Sequence, residues 1–440
     1  MLIRKLLFIL LTSLSFCTAA QMVDAGNGHA IVLDKDGKVF TMGRNNYGQI
    51  GDSTYEDHNT PYHVERLPKI KVIARGYDHS LAIDEQGRVW AWGRNNYGQL
   101  GSAIPIDFNT PQLVVNHRNF ISVEGGHWHT VALKEDGTVW TWGHNFYGEL
   151  GDGTREHSQY PRSVVKKDKT TLQGIVKIVS VGYHTLALDK NGEVYSWGSN
   201  DFGELGHFHN VIQHYAEKVE GLQNIKSIAV GWHHSVAINE NGELFMWGSD
   251  PSTQVRESTP DHFNSIVKID SLPPMVKIAC GSWHSLAIDE TGQVWGWGNN
   301  RYGMLGTKDT ISYTYPKKIL GFKGIEEIGG GCFQSLAIDK KGDFYTFGGN
   351  ASGQQGQGDF AYIFVPTKLD LSLKPKGEVA QAEMGEENDA IASESNITGK
   401  QIIEVPKIIM YSVLFLSLLF NVVFFIKYRK AQRKDKLTNL

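Results

Sequence analysis

The stretch Gly76-Tyr77-Asp78-His79-Ser80-Leu81-Ala82-Ile83-Asp84-Glu85-Gln86-Gly87-Arg88-Val89-Trp90-Ala91-Trp92-Gly93-Arg94-Asn95-Asn96-Tyr97-Gly98-Gln99-Leu100-Gly101 decides the fold of this 440-residue chain. His79 to Ile83 is a short run of β-prone residues, and Val89 to Trp92 is the returning strand. Between them Asp84 opens a turn with its side chain, and Gly87 supplies the positive φ that closes a hairpin. The same turn stands at Asp34-Lys-Asp-Gly37, Asp189-Lys-Asn-Gly192, Asn239-Glu-Asn-Gly242 and Asp289-Glu-Thr-Gly292.

Outward from this unit the chain repeats. The Gly closing each aromatic-Gly pair falls at 43, 93, 143, 198, 248, 298 and 348, in steps of 50, 50, 55, 50, 50 and 50. Met42 replaces the aromatic in the first. A second series, His29, His79, His129, His184, His234, His284 and Gln334, keeps the same steps. Two independent markers thus hold one register seven times. No stretch between the first twenty residues and residue 408 sustains a helical period. Antiparallel units that cannot bury both faces alone must stack, and in a propeller they stack radially. The expected fold is all-β: a seven-bladed β-propeller of about 50-residue repeats over residues 21–369. A Pro-x-x-apolar segment precedes most units, at Pro61 to Val64, Pro111 to Val114, Pro161 to Val164 and Pro316 to Ile319. A spare one, Pro366 to Leu369, follows the seventh. This predicts that 366–369 complete the first blade, lock the termini together and leave no open edge.

On Trp92-Gly-Arg-Asn-Asn-Tyr-Gly-Gln-Leu-Gly101 and Gly76-Tyr-Asp-His-Ser-Leu-Ala-Ile83, the units resemble the regulator of chromosome condensation repeat, over residues 21–369. A kelch propeller has a similar period but would show Gly-Gly doublets where aromatic-Gly pairs stand here. The fifth unit, Trp247-Gly-Ser-Asp-Pro-Ser-Thr-Gln-Val255, has lost the Asn-x-x-Gly loop. The seventh carries Phe347 for Trp and Gln334 for His.

The ends set the expected compartment. Arg4 and Lys5, the apolar run Leu6 to Phe16 and the small residues Thr18, Ala19 and Ala20 read as a secretory signal over 1–20. Ile408 to Ile426 is nineteen residues without a charge. As a helix it would be roughly 28 Å long, enough to cross a bilayer core. The tail 427–440 carries a net +5 and should stay in the cytoplasm. The expectation is a single-pass, membrane-anchored member of the family, its propeller periplasmic or extracellular. Residues 370–407, acidic and without aromatics, read as a flexible stalk. Asn396-Ile-Thr398 would accept a glycan in a eukaryotic secretory pathway.

The chain is −4 overall, and 21–369 alone is about −7, which argues against a nucleic-acid partner. Past the signal only Cys280 and Cys332 remain, 52 residues apart. A disulfide and a pair of free thiols both stay open.

Six histidines at one repeat position invite a metal reading. Residues related by rotation about an axis do not converge on one ion, so a structural bridge within each blade is expected instead. The consensus Trp at 92, 142, 197, 247 and 297 is expected to pack between blades, and His207, His209 and His214 to sit in a solvated loop. No nucleophile elbow, phosphate-binding loop or paired-carboxylate motif stands out. No catalytic set, cofactor or metal site is expected.

The two residues before the repeat His vary from unit to unit, and aromatics occupy them in six of seven units: Tyr77, Trp128, Tyr183, Trp232, Trp283 and Phe333. Equivalent positions in a propeller share one face and one radius. A broken aromatic ring at one channel mouth is therefore expected, at least half of it exposed, as a partner-binding face. The expected function is a membrane-tethered interaction module that binds a protein, or as second choice a glycan. The resemblance adds a precedent: a secreted propeller of similar repeats inhibits β-lactamase through aromatic-rich loops, so inhibition of an extracytoplasmic enzyme is a sharper variant. The alternative is guanine-nucleotide exchange on a small GTPase, the founding activity of the repeat family. That would need a cytoplasmic propeller and an insertion to act as a wedge, whereas the largest surplus is five residues, between 143 and 198. Light sensing, as in the plant ultraviolet receptor, lacks that protein's repeated Trp-Arg-His pattern.

Overall fold

The computed structural model describes residues 21–114, 118–207, 209–248 and 265–374. The expected signal, the stalk beyond Lys374, the 408–426 span, the basic tail and the altered loop of unit five lie outside these residues. Among the described residues, no helix is long and apolar enough to cross a membrane.

Twenty-eight strands form seven four-stranded antiparallel sheets among the described residues, each sheet a blade. Blade one is Met22–Ala25, His29–Leu33, Val39–Gly43 and His58–His63; blade seven is Ile325–Gly330, Gln334–Asp339, Phe344–Gly348 and Ile363–Lys368. The first strands line a central channel of about 280 Å³. The Asp-x-x-Gly hairpin forms as read: Asp84 Oδ1 accepts from the Gln86 and Arg88 amides, and Gly87 sits at φ 70°.

The closure expectation is overturned. The strand holding Pro366 belongs to blade seven, where Tyr345 pairs with Lys368 and Thr346 with Thr367. Each Pro-x-x-apolar segment follows its own unit rather than preceding the next: Phe40 pairs with His63 and Thr41 with Tyr62. The cause is the loop after the aromatic-Gly pair, which returns the chain against the strand it has just left. Every blade is thus continuous in sequence, and no strand is exchanged between the ends. The ring closes by packing and hydrogen bonds. Leu336, Ile338, Phe344 and Leu369 of blade seven share one core with Ala25, Ala30, Val32 and Met42 of blade one. Gln334 donates to the His29 carbonyl at 2.9 Å, and the Gly358 amide to the Asn59 carbonyl at 2.8 Å.

The prolines lie in the outermost strands, where a missing N–H discourages pairing with a foreign strand. Blade four has Ala216 at that position, and its amide donates to the Val165 carbonyl at 2.8 Å. Val165 begins the five-residue surplus, which folds back on itself through a Val165–Thr171 bridge. The insertion covers the outer edge of blade four.

The consensus Trp residues pack between blades as expected. All five are fully buried, and the Trp142 indole N–H donates to the Gln99 carbonyl of the preceding blade at 2.9 Å. Five of the six histidines bridge, but not within their own blades, and neither ring nitrogen of His29 has a hydrogen-bond partner among the described residues. His79 Nε2 lies 3.2 Å from Thr130 Oγ1 of the next blade, and Thr130 in turn donates to the Gln99 carbonyl. Because the hydroxyl's proton is spent on that carbonyl, His79 is the donor to it. The same link joins His184 to Ser235, His234 to Ser285 and His284 to Ser335. Cys280 and Cys332 are free, buried thiols, and burial pushes them up to about 12 and about 11.

Candidate partner-binding face

Each blade presents the turn before the repeat His and, in every blade but the fifth, whose loop lies outside the described residues, the loop after the aromatic-Gly strand on the same face. The opposite face carries the Asp-x-x-Gly hairpins. Gly76 shows why the first turn is fixed. A Cβ there would lie 1.9 Å from His79 Cε1, so the chain must pass directly over the buried imidazole.

The turns are linked around the mouth by backbone hydrogen bonds. The Asn27 amide donates to Tyr77 O, Tyr77 to Gly126 O, His127 to Gly182 O, Trp232 to Ser282 O, Ser282 to Gly331 O and Cys332 to Gly26 O. Six of seven blade junctions carry the link, including the one between blade seven and blade one. The exception is the junction of blades four and five, where Gly182 is displaced by one position relative to its equivalents.

On this frame the aromatics do not stand as an open ring. They converge and close the mouth. Tyr77 stacks on His127 (centroids 4.0 Å, planes 11° apart), and His127 stacks on Tyr183 (4.9 Å, 10°). Trp232 lies 5.6 Å from Tyr77 and 5.4 Å from His127, and Trp283 follows at 5.1 Å from Trp232. Trp128 joins through His127 at 4.3 Å. Phe333 stands apart and meets Tyr302 instead, at 5.4 Å. All six expected residues are half-buried; none is exposed. Beneath the plug a void of about 10 Å³ remains, bounded by Arg75, Tyr77, His127, Trp232 and Cys332. Burial raises the Tyr77 and Tyr183 phenols far above their usual range and, with Arg94 adding to it, holds His127 down to about 3. The plug is neutral at physiological pH.

A second circle was not picked out from the sequence, although its signal lay inside the quoted Asn-Asn-Tyr-Gly motif. The loop aromatics Tyr97, Tyr147, Phe202 and Tyr302 each touch the residue pair before the repeat His of the next blade: Tyr97 meets Trp128 at 5.1 Å, Tyr147 meets Tyr183 at 5.1 Å, and Phe202 meets His233 at 4.1 Å. The loop's first Asn holds it in place. Buried Asn95 accepts from the Leu100 amide and donates to Ser102 Oγ and the Ile104 carbonyl, 2.8 Å each. Arg94 adds a cation. Its guanidinium sits 4.5 Å from the Tyr47 ring and 5.5 Å from Trp128, tied to buried Asp78 at 3.3 Å. The result is an aromatic surface centred on the Arg94–Asp78 ion pair, on which Phe146 and Arg301 are exposed.

Among the described residues, no group of three or more His, Cys, Asp or Glu is placed to hold a metal. His207 hydrogen-bonds Ser196 at 3.0 Å, and its ring lies 5.7 Å from that of His209.

Fold and face together define a repeat propeller built to present one structured surface. The RCC1-like domain model matches residues 104–399, and two models of the regulator of chromosome condensation (RCC1) repeat match 36–83 and 70–99. The chain belongs to this family. Among solved structures, human WBSCR16 is similar at TM-score 0.67 and 22% identity, over 76% of this chain and 95% of that one. Prp20p of Saccharomyces cerevisiae, described with its binding properties to Gsp1p and histones, gives 0.62 and 24%, over 70% and 80%. Yeast RCC1 (Prp20) bound by Kap60 gives 0.68 and 22%, over 80% and 85%. At these identities the likeness shows the fold. The curated relative Alsin of Homo sapiens is 54% identical over 33 residues, which is 8% of this chain and 2% of that protein.

Proposed function

We propose that this chain is a membrane-tethered, extracytoplasmic interaction module that binds a protein through the aromatic face at the channel mouth, and that it is not an enzyme. The observation that carries this is the convergence of Tyr77, Trp128, Tyr183, Trp232 and Trp283 on one half-buried surface crossed by Arg94. Tyr, Trp and Arg dominate binding hot spots because they bury large areas with few rotatable bonds and keep a polar handle. A plugged mouth leaves little room for a small substrate from that side, whereas it suits a macromolecular surface laid across it. That the yeast relative is described with Gsp1p, histones and Kap60 supports a protein partner over a glycan. Inhibition of an extracytoplasmic enzyme is the narrower form of the same reading.

The membrane placement rests on Arg4 to Ala20, on the uncharged run Ile408 to Ile426 and on the basic residues after it. Protease added to intact cells or spheroplasts should release a soluble propeller ending within 370–407. Protection of that fragment would favour a cytoplasmic propeller and the exchange-factor reading instead.

A further inference from the structure

The outermost strand of blade seven breaks the pattern of every other described blade. Phe360-Ala361-Tyr362-Ile363-Phe364-Val365 is six apolar residues in a row. The equivalent stretches read Tyr-Glu-Asp-His-Asn-Thr in blade one, Arg-Glu-His-Ser-Gln-Tyr in blade three and Thr-Ile-Ser-Tyr-Thr-Tyr in blade six. The run is not buried: Phe360 is 54% exposed, Tyr362 40%, Phe364 38% and Val365 37%. It is continuous with the neighbouring blade. Tyr362 meets Tyr302 at 5.7 Å, and Phe364 lies over Gly303, where an added Cβ would fall 2.6 Å from its ring. The Lys308 amide donates to the Phe364 carbonyl at 3.0 Å, and Ile311, three residues beyond, is 60% exposed. An exposed apolar strip of this kind marks an interaction surface.

We infer that this edge of blade seven lies on the surface of an anionic lipid bilayer, through Phe360, Tyr362, Phe364 and Val365 and the lysines around them. Three observations select a bilayer over another strand. Pro366 removes a donor from the middle of the strand, and the Phe364 carbonyl is already used by Lys308, so a ladder with a partner chain is blocked. The rim is rich in lysine: Lys308, Lys317, Lys318, Lys368 and Lys374 are exposed around the strip, partly offset by Asp309, Asp359, Asp370 and by Asp343, which pairs with Lys368 at 2.8 Å, and residues 301–369 hold eight basic and six acidic residues in a body that is about −7 overall. Aromatics flanked by lysines suit a headgroup interface, where rings bury and ammonium groups meet phosphate. Lastly, the last described residue, Lys374, follows this blade directly, and in sequence the apolar run 408–426 comes after it. The inference rests on the membrane-tethered reading, and its test is kept separate.

All seven blades and the closing contacts lie within 21–374, so that segment is the protein to use. It should cosediment with phosphatidylcholine vesicles containing about 30% phosphatidylglycerol, and less so at about 0.5 M salt. The triple variant Phe360→Thr, Tyr362→Ser, Phe364→Thr installs blade six's own residues and should cut the bound fraction at least about tenfold with an unchanged melting temperature. If the triple variant misfolds, Phe360→Thr alone should still weaken binding. Absence of wild-type binding to these vesicles, or binding that ignores the substitutions, overturns the proposal. So does a concentration-dependent dimer, or a complex with a protein, that the triple variant abolishes in place of vesicle binding. Carbonate extraction of the full chain reads the tether by itself: if the full chain stays in the membrane while 21–374 ignores vesicles, the tether stands and the docking edge falls.

Discussion

Tyr77 of blade two and Trp232 of blade five meet across the channel mouth, ring centroids 5.6 Å apart. Blades three positions apart in a seven-membered ring face each other over the axis, so this contact exists only because the turns carry the rings inward. It makes the aromatic set a single surface and not seven separate turns.

Two kinds of tryptophan should therefore behave differently. Trp128→Ala should lower the melting temperature by only a few degrees while weakening partner binding by at least about 2 kcal/mol, roughly thirtyfold. Trp142→Ala removes a fully buried side chain from between blades, and should cost about 3–5 kcal/mol of stability. Thermal melts paired with a binding assay on each variant separate the two. Equal destabilisation would mean that Trp128 is core.

Glycines before the repeat His should be intolerant for a steric reason. Gly76→Ala places a methyl 1.9 Å from the His79 ring, which is held by Thr130 and cannot yield. We expect loss of soluble protein. Gly174→Ala is the control: unlike Gly76 it sits at a positive φ, 76°, but an added Cβ there meets nothing within 4 Å. It should cost about 1 kcal/mol, the strain alone.

Stability should fall in acid. Burial holds His29, His79, His234 and His284 down to about 3 and His129 to about 4, and it holds His184 well below its ordinary value. These imidazoles stay neutral in the fold but take up protons in the unfolded chain below about 6.5. Their contribution is present above that pH and is lost as pH falls from there toward 3, at up to about 1.4 kcal/mol per group per unit. Glu124, raised to about 8, and Glu204, raised to about 7, act in the opposite sense. They favour the fold at low pH and lose that contribution as pH rises from about 4.5 through their folded values. His127 and His233, held down to about 3 and about 4, add to the imidazoles, and burial also raises Asp24 and Asp78 on the carboxyl side. The imidazoles outnumber these carboxyls, so melting temperature should drop steeply below pH 6. A flat profile from pH 7 to 4 would show that the imidazoles are not locked neutral.

Ring closure without strand exchange has its own consequence. A chain ending at Lys374 should melt like the full propeller. One ending at Val365 loses half of blade seven's last strand and the Leu369 side chain from the core shared with blade one, and should be markedly less stable. Equal melting of the two would show that this junction contributes nothing to the ring.

The propeller was legible because its markers are local and repeated: the Asp-x-x-Gly hairpin forms wherever it was read, and Trp92 and its equivalents are buried as their spacing requires. Strand ownership was not legible. Pro61 and Pro366 lie between units in sequence, and only the folded loop decides that each pairs backwards. The site was half legible. Position along the repeat placed Tyr77, Trp128, Tyr183, Trp232, Trp283 and Phe333 on one face, but radius and side-chain direction arise from packing. Hence His127 in the centre of the plug, Phe333 outside it, and the Tyr97 circle went unread. The imidazole partners were missed for a similar reason: the hydroxyl that meets His79 stands 51 residues away, on another blade.

The central claim is that the aromatic face is where a protein partner docks, and site-specific photo-crosslinking in the native membrane tests it most directly. A photoreactive residue at Phe146 or Asn96, exposed on the plugged face, should capture one discrete protein. The same residue at Glu135, exposed on an opposite-face hairpin, should capture none. Trp128→Ala should abolish the Phe146 adduct. A discrete adduct from Glu135 with none from Phe146 or Asn96 would contradict the claim and move the binding surface to the other side of the ring.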